Sequence, residues 1–152
     1  MKRIEIKQFS YESPYYAYEL ELRNKVLRKP LGLYLYDEDL GQDRDDVHIG
    51  AFDEKTLVGC TLLSRLDDKT LKMRQVAVDD KYQGNGIGTA MINFCERYAK
   101  KNGYLEITMH ARKAAVPFYT KFGYKIMGDE FTEVTIPHFK MIKIIGKNNT
   151  GE

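Results

Sequence analysis

Alternating apolar and polar residues predict several strands in the N-terminal half of the chain. In the first run, Ile4 and Ile6 alternate with charged residues, as on a half-buried strand. A short turn at Asp53 and Glu54 separates the second run from the third, and a DDKT turn separates the third from the fourth. Such short turns favour antiparallel pairing, so the last three runs predict a meander. The four runs are RIEIKQF, VHIGAFD, KTLVGCTLLSRL and LKMRQVAV.

Two longer segments repeat apolar residues at helical spacing. The first, SPYYAYELELRNKVLRK, opens with Ser13 as N-cap and Pro14 as a first-turn residue. The second follows a glycine-rich stretch and ends in two lysines before Gly103, a favourable C-terminus. The predicted buried faces are Tyr16, Leu20 and Leu27 in the first helix and Ile87, Met91, Phe94 and Tyr98 in the second.

The C-terminal half predicts a strand (YLEITMH), a short helix (KAAVPFYTKF) and two more strands (YKIMGDEFTE and HFKMIKII). Strands and helices alternate only in the middle of the chain, which predicts an α/β fold with a mixed, mostly antiparallel central sheet flanked by helices. With 152 residues, we expect a single domain over residues 1–146 and a disordered tail over residues 147–152.

Composition excludes several classes of function. The net charge is +2, from 24 basic and 22 acidic residues, so nothing in the totals favours nucleic acid or membrane as a partner. The acidic stretch YDEDLGQDRDD is interpreted as a solvated loop, with room for a short helix, whose charges need no functional explanation. Cys60 and Cys95 lie in apolar segments, as buried thiols of a cytoplasmic protein would. The three histidines lack metal-ligand spacing, so we expect no metal.

Three glycines, Gly84, Gly86 and Gly88, stand between a predicted strand and a predicted helix. A helix N-terminus preceded by glycines is the layout of an anion site. A Walker A loop would need lysine after its last glycine, but Thr89 and Ala90 follow. A dinucleotide fingerprint would need glycine at position 89 and a parallel βαβ unit, and the meander does not provide one.

The segment QGNGIG matches Q/R-x-x-G-x-G/A, and FYTKFGY, about 30 residues later, matches FYxKxGF/Y. With both motifs in order, the chain resembles the GNAT superfamily of acetyl-CoA-dependent N-acetyltransferases from HIGAF almost to its end. The resemblance implies a GNAT-type fold with acetyl-CoA as cosubstrate. It implies that the backbone of Val76, Ala77 and Val78 pairs with the pantetheine arm. The implied pyrophosphate loop comprises Gln83, Gly84, Asn85, Gly86, Ile87, Gly88 and Thr89.

Acetyl transfer to an amine needs a neutral amine, a stabilised oxyanion and a protonated thiolate. Deprotonating a lysine-like amine at pH 7 costs about 4.6 kcal/mol, so a base is useful. By resemblance, Tyr119 protonates the thiolate and the Val76 N–H meets the oxyanion, at a bulge common in the family. Some relatives carry a carboxylate on that strand, but this chain reads KMRQ there. Glu133 and His138 are therefore the candidate bases, and His110 is a further one.

The sequence thus favours an N-acetyltransferase that acts by direct attack of a primary amine on acetyl-CoA in a ternary complex. A non-catalytic CoA-binding or protein-interaction module of the same fold is the alternative, and a nicotinamide-dependent oxidoreductase is a third hypothesis. The acceptor stays open among small amines, amino acids, peptide N-termini and protein lysines. The family and the apolar strand FKMIKII favour a homodimer.

Overall fold

The structure is a computed structural model that describes residues 3–146. Within them the chain divides into two compact units, residues 3–64 with 73–95 and residues 65–72 with 96–146. The strands are β1 (Ile4–Phe9), β2 (Val47–Asp53), β3 (Thr56–Arg65), β4 (Thr70–Val78), β5 (Glu106–Arg112), β6 (Lys125–Ile126), β7 (Phe131–Glu133) and β8 (Ile136–Ile144), and the α-helices are α1 (Tyr15–Arg23), α2 (Ile87–Lys101) and α3 (Val116–Thr120).

The first unit is built on neighbouring strands in the order β1-β2-β3-β4. β2 pairs antiparallel with β3, as the short turn at Asp53 and Glu54 predicts, and β1 pairs antiparallel with β2, a pairing that the turns do not predict. Ala77 of β4 packs with Leu22 of α1, whereas its neighbours Val76 and Val78 pack with the first residues of α2. Since successive strand residues point to opposite faces, α1 and α2 cover the two faces of β4. The end of β4 and the loop after it are therefore held from both sides.

Helix α1 differs from its predicted pattern. It begins after Pro14 and continues as a π-helical turn over Asn24–Arg28 and a 3-10 turn over Lys29–Leu31. The predicted apolar face is only half-buried, and Glu19 and Arg23 are buried instead. The prediction was wrong because hydrophobic periodicity assigns charged residues to the solvent, whereas these two form an ion pair with each other.

The acidic stretch contains short helical turns, which the prediction allowed, but it is not fully solvated as predicted. It forms two short 3-10 turns, Leu35–Asp37 and Gly41–Asp45. Asp43 and Asp46 are buried, with exposed fractions of 1% and 8%. Buried carboxylates are stable only with charged or hydrogen-bonding partners, and Arg23 and Arg74 are the charged partners of these two.

The second unit contains β5, β8 and β6 as neighbouring antiparallel strands, and β7 also pairs with β8. The run YKIMGDEFTE, predicted as one strand, is divided into β6 and β7 around Gly128, which has a φ of +90°. The turn between β7 and β8 consists of Val134 and Thr135, with φ values of +43° and +70°. β-branched residues are rare in this left-handed region, so the turn is strained.

The predicted fold class, an α/β fold of mostly antiparallel strands flanked by helices, is confirmed. Cys60 and Cys95 are buried thiols, as predicted. Within residues 3–146, no helix is long and apolar enough to cross a membrane. Among the same residues, no three or more His, Cys, Asp or Glu side chains are arranged so that they could hold a metal ion. The single domain over residues 1–146 stays a prediction, and the predicted tail at 147–152 lies outside the described residues.

Candidate active site

The glycine loop connects the end of β4 to the start of α2 in the first unit. Gly84 and Gly86 have φ values of +82° and +79°, which L-residues rarely adopt. A Cβ built on either glycine would meet no atom within 4 Å, so the space beside both is open. Glycine is therefore required here by backbone conformation, and it leaves the backbone accessible to a ligand.

Side chains of the loop residues brace it against the first unit. Gln83 Nε2 donates to the Val78 carbonyl at 3.1 Å, and Asn85 Nδ2 donates to the Tyr82 carbonyl at 3.1 Å. The Tyr82 hydroxyl donates to Asp53 Oδ2 at 2.6 Å, and its ring packs in the core beneath α2. The loop conformation is thus fixed by the protein before any ligand arrives.

The N-terminus of α2 supplies the donors of an anion site. The Ala90 N–H donates to the Gly86 carbonyl at 3.0 Å. The N–H groups of Ile87, Gly88 and Thr89 come before the first possible intrahelical bond of α2 and therefore have no partner within the helix. Together with the helix dipole, these donors fit the chemistry of a pyrophosphate group.

The backbone of β4 is irregular immediately before Val76. Gln75 has a φ of +58°, in the left-handed region, within a strand that is otherwise extended. From β3, the Thr61 hydroxyl donates to the Arg74 carbonyl at 3.1 Å, and the Cys60 thiol lies 3.7 Å from the Gln75 carbonyl. The distortion lies beside the residue predicted to donate to an oxyanion. The role of the Val76 N–H itself stays a prediction.

Sequence reasoning missed a buried ionic cluster in the first unit, made of Glu19, Arg23, Asp43, Asp46, His48 and Arg74. Arg23 Nη1 donates to Glu19 Oε2 at 2.8 Å and to Asp43 Oδ2 at 2.7 Å. Arg23, Glu19 and Asp43 each expose 1% or less of their side chains. Burial alone would raise the pKa of the Asp43 carboxyl, but the hydrogen bond and charge of Arg23 lower it below its usual value.

His48 completes the charge balance of the ionic cluster. Its Nε2 lies 2.7 Å from the Asp43 carbonyl, which only accepts, and its Nδ1 lies 2.6 Å from Glu19 Oε1. Burial would lower the pKa of His48, but its hydrogen bond to the Glu19 carboxylate and that group's charge raise it. With both ring nitrogens protonated, the cluster holds three cations against three carboxylates.

Arg74 of β4 joins the remaining members of the ionic cluster. Its Nη2 lies 2.7 Å from Asp43 Oδ1 and 2.8 Å from Asp46 Oδ2. Asp46 also accepts from Ser64 at 2.7 Å and from Gln42 at 2.9 Å. Among the described residues, no buried side-chain nitrogen or oxygen lacks a hydrogen-bond partner. The cluster is therefore fully satisfied, as a buried set of charges must be to be stable.

Tyr119, the predicted acid, lies in α3 of the second unit. Its side chain is buried, with an exposed fraction of 7%. Its ring makes edge contacts with Phe118 at 5.2 Å and with Tyr124 at 6.1 Å between centroids. Its carbonyl accepts from the Phe122 N–H at 3.0 Å, in the turn that ends the helix. Tyr119 is thus held in a defined position, and its catalytic role stays a prediction.

Among the candidate bases, the second unit brings His110 and Glu133 together. His110 Nδ1 lies 2.8 Å from Glu133 Oε1, because β5 and β7 both pair with β8. Lys72 Nζ is 3.4 Å from the same nitrogen, and the Phe131 ring meets the imidazole edge-on at 5.0 Å. A carboxylate only accepts, so Nδ1 carries the proton and Nε2 is the nitrogen that can act as a base.

His138, the other candidate base, is buried on β8. Its Nδ1 donates to the Ile136 carbonyl at 2.9 Å, and its ring stacks on Phe131 at 5.9 Å. Phe131 therefore contacts both histidines. Of these two histidines, His110 is the one hydrogen-bonded to Glu133. The structure therefore pairs Glu133, a first candidate base, with His110, which the sequence offered only as a further candidate.

Comparisons with known proteins agree on one family. The model of the Acetyltransferase (GNAT) domain matches residues 29–145. The uncharacterized protein YyaT of Bacillus subtilis (strain 168) is 33% identical over 103 residues, which cover 68% of this chain and 69% of that protein. The structure of a candidate N-acetyltransferase from Lactobacillus plantarum superposes with a TM-score of 0.84, at 19% identity, covering 93% of this chain and 98% of the other.

A second solved structure contains a ligand. It is a GNAT family acetyltransferase from Elizabethkingia anophelis with acetyl-CoA bound, with a TM-score of 0.72 and 16% identity. The match covers 93% of this chain and 97% of that one. At this identity, both structural matches establish the fold.

Proposed function

The chain belongs to the GNAT acetyltransferase family, and from that premise we propose that it transfers an acetyl group from acetyl-CoA to a primary amine. The observation that carries the proposal is the braced glycine loop between β4 and α2. Its two positive-φ glycines and the N–H groups at the start of α2 form a donor set for a pyrophosphate. The related structure from Elizabethkingia anophelis, which holds acetyl-CoA, supports the choice of donor.

In the proposed reaction, the acceptor amine attacks the acetyl carbonyl directly in a ternary complex. The backbone of Val76, Ala77 and Val78 pairs with the pantetheine arm, and the loop from Gln83 to Thr89 holds the pyrophosphate. The Val76 N–H donates to the oxygen that becomes negative during attack. The distorted backbone at Gln75 supports this assignment, because a bulge turns an N–H out of the regular strand ladder.

We assign the base to His110, with Glu133 as the group that orients it. His110 Nε2 accepts a proton from the acceptor's ammonium group, and Glu133 stabilises the resulting imidazolium through Nδ1. This pairing replaces the strand carboxylate that some family members carry. His138 remains the alternative base.

The leaving thiolate of CoA takes its proton from the Tyr119 hydroxyl. A phenol with a pKa near 10 is protonated at pH 7 and can protonate a thiolate as the carbon–sulfur bond breaks. Burial of the Tyr119 ring among Phe118 and Tyr124 supports a fixed donor position. The acceptor is an amine, in line with the N-acetyltransferase named among the structural matches.

Two measurements test the proposal. Acetyl-CoA and CoA, each at up to about 1 mM, are expected to raise the melting temperature, and NADH is expected to leave it unchanged. A ligand at 100 times its dissociation constant adds about 2.7 kcal/mol of stability. Release of CoA thiol from acetyl-CoA is then followed with a panel of polyamines, aminoglycosides, amino acids and peptides. Stabilisation without turnover on any amine would favour a non-catalytic CoA-binding module. No response to CoA would refute the proposal.

A further inference from the structure

The ionic cluster touches β4 at the point where its backbone is distorted. Arg74 is a member of the cluster, and the next residue, Gln75, accepts a hydrogen bond through Oε1 from Arg23 Nε at 3.3 Å. The cluster therefore reaches both residues that precede Val76. The sequence predicted neither Arg23 nor Gln75 as a site residue.

Arg23 is an unusually well-fixed donor. It comes from α1, and its Nη1 is held by Glu19 at 2.8 Å and by Asp43 at 2.7 Å. Its side chain exposes 1% of its surface. A guanidinium with two carboxylate partners cannot follow Gln75 if that residue moves, so the Gln75 amide is tied to a rigid point.

Gln75 needs such a tie because its conformation is unfavourable. A φ of +58° in a non-glycine residue persists only where the surroundings enforce it. The hydrogen bond from Thr61 to the Arg74 carbonyl acts on one side of the distortion, and the bond from Arg23 acts on the Gln75 side chain. These two bonds hold the Arg74–Gln75 peptide and the Gln75 side chain, and the Cys60 thiol, 3.7 Å from the Gln75 carbonyl, contacts the peptide plane that carries the Val76 N–H.

We propose that Arg23, held by the ionic cluster, is a positioning residue that acts through Gln75 to aim the Val76 N–H at the acetyl carbonyl. The proposal rests on the proposed function, and it explains what holds the Val76 N–H in line with the oxyanion. Oxyanion donors act only when they are aligned before the reaction, and small displacements are costly. The buried ionic cluster would then serve catalysis, by positioning the Val76 N–H, as well as the stability of the fold.

The test uses amide NMR of the full chain, labelled with nitrogen-15 in valine and glycine, titrated with acetyl-CoA and with CoA. The two ligands differ only in the acetyl group, which replaces the thiol hydrogen of CoA and brings the carbonyl oxygen. In the wild type, we expect the Val76 amide shift to differ between the two complexes. Gln75→Met keeps the side-chain length but removes the acceptor, and it should abolish that difference. Gln75→Glu restores an acceptor oxygen and should restore the difference.

Gln42→Met is the matched control, because the Gln42 side chain is also hydrogen-bonded to the cluster, as a donor to Asp46, but Gln42 does not lie on β4. It should behave like the wild type. If Gln75→Met keeps the Val76 difference, or if Gln42→Met loses it equally, the positioning role is overturned. Glycine-loop amides that respond to CoA without any Val76 difference in the wild type would overturn it while leaving cofactor binding intact. If the amide shifts of the glycine loop do not change when CoA is added, both the proposed function and this inference are refuted.

Discussion

Asp43 is the member of the ionic cluster whose replacement should destabilise the folded protein most. Its Oδ1 accepts from Arg74, and its Oδ2 accepts from Arg23 and from the Tyr16 hydroxyl, each at 2.7 Å. Asp43→Asn removes one negative charge and places an amide N–H₂ against at least one of these donors. The buried Arg23 and the partly buried Arg74 then carry an excess of positive charge.

The magnitude follows from the burial of the group. Removing one partner from a buried ion pair costs about 3–5 kcal/mol, because the other charge stays desolvated. For a domain of this size, 1 kcal/mol corresponds to about 2–4 °C in melting temperature. Asp43→Asn should therefore lower the melting temperature by about 6–20 °C. Urea denaturation at pH 7 should show the same loss as a lower midpoint with an unchanged slope.

Asp45→Asn provides the matched control. Asp45 lies in the same 3-10 turn, two residues away, but its side chain is exposed. The same chemical change there should alter stability by at most about 0.5 kcal/mol. If the two variants melt within about 2 °C of each other, the reasoning that Asp43 is a buried, charge-balancing group is refuted.

Three further predictions concern the rest of the molecule. Because the pKa of His48 is raised in the folded protein, its contribution is full below about pH 6.5, the ordinary pKa of histidine, and is lost as the pH rises through the higher pKa of the folded state; urea denaturation from pH 6 to 9 should show falling stability. Glu19→Gln should flatten this dependence, and an unchanged slope would contradict the pairing. Gly86→Ala should weaken CoA binding measured by calorimetry, whereas Gly103→Ala, at a φ of +82°, should cost similar stability and leave binding unchanged. Tyr119→Phe should lower kcat about 100-fold with the KM for acetyl-CoA nearly constant, and equal turnover at every pH would exclude its acid role.

Sequence reasoning recovered the parts of the molecule that local signals encode. The meander follows from alternating residues and short turns, and the helix after the glycines follows from its apolar repeat. The predicted face of α2 was partly correct: Ile87 and Met91 are buried, while Phe94 and Tyr98 are half-buried. The glycine loop could be predicted because the glycines themselves indicate an unusual backbone. Only glycine readily adopts the φ values found at Gly84 and Gly86.

The ionic cluster and the His110–Glu133 pair were missed for a different reason. Their partners are distant along the chain: Asp43 and Arg74 are 31 positions apart, and His110 and Glu133 are 23 positions apart. These contacts depend on strand order and on the path of the 3-10 turns, which local patterns do not encode. The Glu19–Arg23 spacing of four was the one local signal, and on a helix it is usually a surface pair.

The ionic cluster also constrains how this sequence can evolve. Its six charged side chains come from α1, the second 3-10 turn and its flank, β2 and β4, yet they neutralise one another as one set. Substituting one member exposes the others to an uncompensated charge, whereas a second substitution that restores neutrality recovers part of the loss. These positions should therefore show strong epistasis. Related sequences should therefore differ at these positions by paired substitutions. The effect of a single substitution should depend on which residues occupy the other cluster positions.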